Sequence, residues 1–278
     1  MHPRLFTIPS FHFLGALLGP FAIPTYGLLI AIAFLAGLYV VSKEAQREGL
    51  DAERLTDLAL YVLIAGIIGA RLLLLAIDWR FYMEHKREIL STVLQSGGVF
   101  YGGLLLAIPV AWWYTRKHHL DGWRTADVLA PGIVIGQAIG RLGCLAAGCC
   151  YGKDAHVPWA ITFRDVYASR LIGTPLDRPV HPTQIYESLA CFAIFGLLLF
   201  IARHKRFPGQ VALCYFLFYS VTRFVVEFYR GDVARGFPLN GPLSTSQVIA
   251  IPLAIGAAGW LIVRSRKSAQ PAGQGAAA

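Results

Sequence analysis

Seven apolar runs limit the folds open to this chain more than any other feature. Residues 21–41, 57–77, 98–115, 127–149, 185–203, 210–228 and 246–263 are of the length that crosses a bilayer, at about 20 residues per helix. In hydrocarbon each backbone donor and acceptor must be satisfied within its own segment, so such runs form helices. The expected fold is an all-α integral membrane protein with about seven transmembrane helices. Only 15% of the residues are charged, against about a quarter in an ordinary soluble domain. Residues 1–278 are therefore expected to form a single membrane domain, with residues 268–278 as a disordered tail. Nothing at the N-terminus reads as a cleavable signal peptide. Residues 5–20, with Phe6, Phe11, Phe13 and Leu14, are expected to lie along the interface as a short amphipathic piece.

Seven spans put the termini on opposite sides. With the C-terminus inside, the inner connections hold twelve Lys and Arg and the outer ones ten, but the inner connections are much shorter and so more densely positive. The reading is N-out, C-in. The net charge of +9 sits at the ends of apolar runs rather than along one face, which points to anionic membrane lipids and away from nucleic acid. The longest connection, 151–184, lies outside under this topology. It holds Trp159, Phe163 and Tyr167 and is expected to form a small extracytoplasmic head or lid.

Three basic residues fall within the spans, Arg71, Arg141 and Arg223, each in the outward half. Burying Arg in hydrocarbon costs about 2.5 kcal/mol or more, so each requires a ligand or partner. Tyr26, Tyr101, His181 and Glu187 fall at the same depth. Polar groups from six spans thus point to an anion site opening toward the outer leaflet. Arg141, within Q-A-I-G-R-L-G-C-L-A-A-G-C-C-Y-G-K, is the leading candidate, because Gly140 and Gly143 leave its guanidinium room to face a ligand. The other reading is a structural Arg bonded to carbonyls at a broken helix end. Arg223 has Glu227 one turn later, so an intrahelical salt bridge stands beside phosphate binding, and the two are compatible. Arg71 lies close enough to the interface to snorkel. His181, in H-P-T-Q-I-Y-E, is either a hydrogen-bonding corner or a base. Tyr26 and Tyr101 fit an aromatic belt, and Gly97–Gly98 and Gly102–Gly103 clear space beside the Tyr101 hydroxyl.

Five cysteines make an odd count without disulfide-scaffold spacing. Cys191 and Cys214, inside apolar runs, read as small packing residues. Cys149 and Cys150 are adjacent, and neither His nor carboxylate stands near them at metal-site spacing, so neither metal nor cofactor is expected.

The ordered motifs resemble the bacterial prolipoprotein diacylglyceryl transferases. They run from G-P-F-A-I-P-T-Y-G-L at Tyr26 through G-A-R-L at Arg71, S-G-G-V-F-Y-G-G-L at Tyr101, I-G-R-L-G-C at Arg141 and H-P-T-Q-I-Y-E at His181. Y-S-V-T-R-F-V-V-E-F-Y-R from Tyr219 and G-P-L-S-T-S-Q complete the series. The resemblance implies a seven-span inner-membrane enzyme that moves the diacylglyceryl group of phosphatidylglycerol onto the lipobox cysteine of a prolipoprotein and releases glycerol phosphate. By position, Tyr26, Arg141, Gly152, Tyr219, Arg223 and Glu227 match residues the family uses. Tyr101 stands where the family usually has a histidine, and Cys144 and Cys149 stand where it usually has asparagine and glutamate.

In the mechanism this suggests, Arg141 and Arg223 clamp the phosphodiester and His181 is the spare base. Tyr101 and Tyr26 position thiol or headgroup, and Arg71, Gly152, Tyr219 and Glu227 join the substrate contacts. The alternatives are a transporter or flippase for an anionic lipid or solute, and a paralogue of the transferase with a different acceptor. Few polar groups line the inner half of the spans, which leaves a transporter without a through-path.

Overall fold

The apolar runs become helices. The structure, a computed structural model, describes residues 3–8, 11–13, 16–18, 21–85, 98–232 and 242–269. Four short strands, β1 (Arg4–Ile8), β2 (Phe11–Phe13), β3 (Ala16–Leu18) and β4 (Phe21–Pro24), precede helices α1 (Thr25–Arg47), α2 (Ala52–Ile77), α3 (Trp79–Glu84), α4 (Phe100–Lys117) and α5 (Gly122–Ala147). Then come β5 (Ile161–Thr162), α6 (Val166–Ile172), β6 (Pro179–Val180), α7 (Thr183–His204), α8 (Gln210–Glu227) and α9 (Thr245–Ala269). Among the described residues seven helices reach 18 residues, and each overlies one of the seven apolar runs. Five of them, α1, α2, α5, α7 and α9, are long and apolar enough to cross a membrane, so this is a multi-pass membrane protein.

The N-terminal segment departs from expectation. β1 pairs antiparallel with β4 and β2 with β3, in place of an amphipathic piece along the interface. Phe6 lies in β1, Phe11 and Phe13 lie in β2, and Leu14 falls outside the described residues. F-T-I and F-H-F alternate with period two, which is the pattern of a strand. Of the expected tail, residues 270–278 also lie outside the described residues, while α9 runs on to Ala269.

The chain divides into two compact units, Met1–Val40 with Ala126–Ala278, and Val41–Thr125. In the second unit α2 and α4 meet along glycines. A Cβ on Gly69 would lie 2.3 Å from the Gly102 carbonyl oxygen, and one on Gly102 would lie 2.4 Å from that of Gly69. Gly103 abuts Gly66 in the same way, at 2.9 Å. The glycines flanking Phe100 and Tyr101 thus serve backbone contact with α2, which corrects the expectation that they clear space beside the Tyr101 hydroxyl. Gly97 lies outside the described residues.

In the first unit the residues of α5 divide their work between two faces. One face is a glycine stripe against α1: Gly132 meets Gly37, Gly136 meets Ala33, Gly140 meets Ile30, and Gly143 meets Tyr26 and Leu29. Small residues at this spacing let helix backbones approach closely in lipid, where packing replaces the hydrophobic drive. Ala130, Val134 and Ala138 on α5 form a core with Cys191, Ile194 and Leu198 of α7 and Val211, Cys214 and Tyr215 of α8. The two cysteines are packing residues, as expected. Ser188 Oγ donates to the Ala138 carbonyl at 2.8 Å and fixes α7 on α5.

The last two long helices take their N-terminal caps from different sources. Gly209, at the N-cap of α8, has no side chain to offer, and buried Asp127 of α5 supplies the acceptor instead. Its carboxylate accepts from Gly209 N at 2.9 Å and Ala212 N at 3.0 Å and pairs with Lys205 Nζ at 3.2 Å. Helix α9 opens with a capping box, Gln247 N donating to Ser244 Oγ and Ser244 N to Gln247 Oε1.

Candidate active site

Both arginines of the expected clamp meet on one carboxylate. Glu187, at the second turn of α7, presents Oε1 to Arg141 Nη2 of α5 at 2.9 Å and Oε2 to Arg223 Nη1 of α8 at 3.6 Å. Tyr219, one turn before Arg223, donates its hydroxyl to the same Oε1 at 3.0 Å. Arg223 Nη2 pairs with Glu227 Oε2 at 2.8 Å and donates to Ser246 Oγ of α9 at 3.0 Å. The intrahelical salt bridge read from the sequence is therefore present, and it forms part of a larger network.

Two guanidiniums and two carboxylates cancel in formal charge, which is what permits them inside a helix bundle at all. Glu187 and Glu227 are 2% exposed, while the Arg141 side chain retains 21% exposure, so the arginine is the open edge of the network. Arg223 Nη1 lies beyond hydrogen-bond reach of Glu187 and has no acceptor among the described residues. A buried, charged donor left open costs stability unless something fills it. The network thus presents the partly exposed face of Arg141 to an anion, with the unpartnered Arg223 Nη1 buried behind it.

The segment after α5 closes on this region through its backbone. Gly152 N donates to His181 O at 3.0 Å, His181 N to Lys153 O at 3.0 Å, Lys153 N to Tyr229 O at 2.8 Å and Gly231 N to Tyr151 O at 3.0 Å. Three stretches of chain cross here, and only glycines fit. A Cβ on Gly152 would lie 2.4 Å from His181 O, and one on Gly231 would lie 2.4 Å from Gly152 O. The His181 ring packs edge-on to Tyr229, and its Nδ1 is 3.1 Å from the Tyr186 hydroxyl. Trp159 Nε1 donates to that same hydroxyl at 2.7 Å, a pattern satisfied when Tyr186 donates to Nδ1 and the imidazole proton sits on Nε2. Arg230 is clamped by Asp232, with Nε to Oδ1 at 2.9 Å. Burial works against its charge, but this carboxylate holds its pKa above the ordinary value.

Tyr26, in the first turn of α1, lies against Gly143, two residues past Arg141. Gly140 and Gly143 therefore receive α1, which corrects the reading that they make room for the Arg141 guanidinium. Cys144, Cys149 and Cys150 come together, their sulfurs all within 4.8 Å of one another. Cys149 Sγ donates to the Cys144 carbonyl at 3.7 Å. Arg71 on α2 and Tyr101 on α4 belong to the second unit, where Arg71 is half-buried and Tyr101 is exposed. Along the sequence Glu187 stands out only for its depth. That depth placed it among the groups of the expected site, since an acidic residue in an apolar run needs a cation; Ser246 and Gly231 give no such signal.

The family model for prolipoprotein diacylglyceryl transferase matches residues 13–263. The chain is 34% identical over 259 residues to a phosphatidylglycerol–prolipoprotein diacylglyceryl transferase of Geobacillus kaustophilus, covering 90% of this chain and 91% of the relative. It is 32% identical over 257 residues to the protein of the same name from Thermosynechococcus vestitus, covering 91% and 92%. It is also 32% identical over 272 residues to that of Bacillus cytotoxicus, covering 95% and 96%. The motif series read along the sequence, the helices and a match of this extent agree: the chain belongs to the prolipoprotein diacylglyceryl transferase family.

Proposed function

We propose that this chain transfers the diacylglyceryl group of phosphatidylglycerol to the cysteine thiol of a prolipoprotein lipobox and releases glycerol phosphate. The observation that carries this reading is the single carboxylate of Glu187 holding Arg141 and Arg223 side by side, with the Arg141 side chain still partly exposed. The relatives' names support the substrates. In the reaction the acceptor sulfur forms a bond to the glyceryl carbon that carries the phosphate. The C–O bond breaks, its electron pair stays on the departing phosphate, and the thiol proton passes to water or to a base. Negative charge accumulates on the leaving phosphate in the transition state, and guanidiniums placed there in advance stabilise it without reorganisation. The same field favours the thiolate of the acceptor over the thiol.

In this scheme Arg141 and Arg223 are the catalytic pair, and Glu227, Glu187 and Tyr219 hold their forks in place. His181 serves as the base if one is needed. Tyr26 and Tyr101 position headgroup or thiol, and Arg71 engages the phospholipid from the interface. Gly152 acts by letting the chain close above the network. The protein sits in the inner membrane with seven spans, N-terminus out and C-terminus in, and residues 151–184 form an extracytoplasmic head. The experiment is mass spectrometry of a lipobox peptide incubated with the protein in vesicles containing phosphatidylglycerol, with Arg141→Ala as control. A diacylglyceryl mass gain on the cysteine, with glycerol phosphate released and both lost in the variant, supports the assignment. No gain beside an active known transferase overturns it.

A further inference from the structure

The turn that ends α5 holds three sulfurs, and it is more constrained than a helix end requires. Gly148 at φ 84° closes the helix in the ordinary left-handed way, its N–H returning to the Cys144 carbonyl at 2.9 Å. Two residues later Cys150 is also left-handed, at φ 58°. For a residue with a Cβ that conformation costs about 1 kcal/mol or more and persists only where its surroundings impose it. They do so here through three consecutive carbonyls. Gly148 O accepts from Thr174 Oγ1 at 3.0 Å, Cys149 O from Gln184 Nε2 at 2.7 Å and Cys150 O from Thr183 Oγ1 at 2.7 Å. All three donors belong to residues no more than 2% exposed. The result is that the side chains of Cys149 and Cys150 meet Cys144, with every sulfur within 4.8 Å of the others.

We propose that Cys144, Cys149 and Cys150 form a three-thiolate site for a soft closed-shell cation, Cu(I). Thiolates bind at about 2.3 Å, which places the sulfurs of a trigonal site about 4 Å apart, inside the spacing found here. Thiolate donors select Cu(I), Zn(II) and iron–sulfur clusters over hard cations. A structural Zn(II) site takes four protein ligands, whereas this group of His, Cys, Asp and Glu donors has three members among the described residues. Binding forms three S–Cu bonds and releases the thiol protons to solvent, with no change of oxidation state. Adjacent Cys149 and Cys150 give no metal pattern along the sequence; the fold supplies Cys144 as the third donor. The proposal stands independently of the transferase reading.

The test is an anaerobic titration of the full-length, reduced protein in detergent with Cu(I), against a competing Cu(I) chelator. About one Cu(I) per chain is expected, with an X-ray absorption spectrum showing sulfur neighbours alone at about 2.3 Å. Cys144→Ser and Cys149→Ser should each weaken binding roughly tenfold or more, while Cys191→Ser and Cys214→Ser leave it unchanged. Cys150→Gly is the decisive variant, because glycine adopts the left-handed conformation freely. It should melt no lower than the parent and still lose the metal. The proposal is overturned if Cu(I) does not bind, if Cys150→Gly retains it, if Cys191→Ser loses it equally, or if a disulfide within the trio forms under these reducing conditions in place of binding.

Discussion

Arg141 and Arg223 carry the site, and Glu187 sets their geometry. Arg141→Lys keeps the charge but cannot reproduce a planar fork held at one end by Glu187 Oε1 and open at the other. Its kcat/KM in the peptide assay should fall roughly hundredfold, and near-normal turnover would remove the clamp. Glu187→Gln probes the same network from its centre. The amide is isosteric and can still accept from Tyr219, but it takes the carboxylate partner from Arg141 and leaves Arg223 with Glu227. Turnover should drop by roughly tenfold or more while the protein still folds, because the forks lose their common anchor. An unchanged rate with a lowered melting temperature would make Glu187 a purely structural residue. The arginines were legible in the sequence because a charge in an apolar run demands a partner. Their common partner was harder to see, since Glu187 is 46 residues from Arg141 and 36 from Arg223 along the chain.

The helices themselves were written plainly in the apolar runs, and their contacts were not. Gly140 and Gly143 sit beside Arg141 in the sequence, yet they lie on the face that meets α1. Residues one and two apart on a helix do not share a face, so proximity along the chain misassigned them. The glycines around Tyr101 misled for the same reason. The prediction for that seam is direct: Gly69→Ala puts a methyl 2.3 Å from the Gly102 carbonyl, so α2 and α4 must separate. Gly66→Ala meets nothing within 4 Å and serves as the control. Thermal unfolding in detergent should show a clear loss for the first and little change for the second. Asp127→Ala tests the borrowed cap of α8. It strips the acceptor from two buried N–H groups and from Lys205, and should cost about 2 kcal/mol. Asp127→Asn, which keeps a carbonyl oxygen, should lose less. Equal losses would mean that the charge opposite Lys205 outweighs the cap.

For the whole molecule the open question is which way the chain threads the bilayer. Five helices are apolar enough to cross by length and composition, and α4 and α8 are the two shortest of the seven. Their status decides the topology. If both cross, the termini lie on opposite sides and the ends of α5 and α8 near Arg141 and Arg230 can share the outer leaflet. If α8 did not cross, its charged residues would need no network, yet Arg223 and Glu227 are buried and paired. A bilayer-embedded α8 accounts for that pairing, since each charge would otherwise cost several kcal/mol in hydrocarbon. The measurement is reporter fusion at both termini and in two connections. A reporter active only in the cytoplasm should work at the C-terminus and after Lys117, at the end of α4. One active only outside should work at the N-terminus and within 151–184. A C-terminal reporter found outside would reverse the orientation, and two active termini on the same side would remove one span. The first result would relocate the arginine network to a leaflet where the proposed acceptor is not presented.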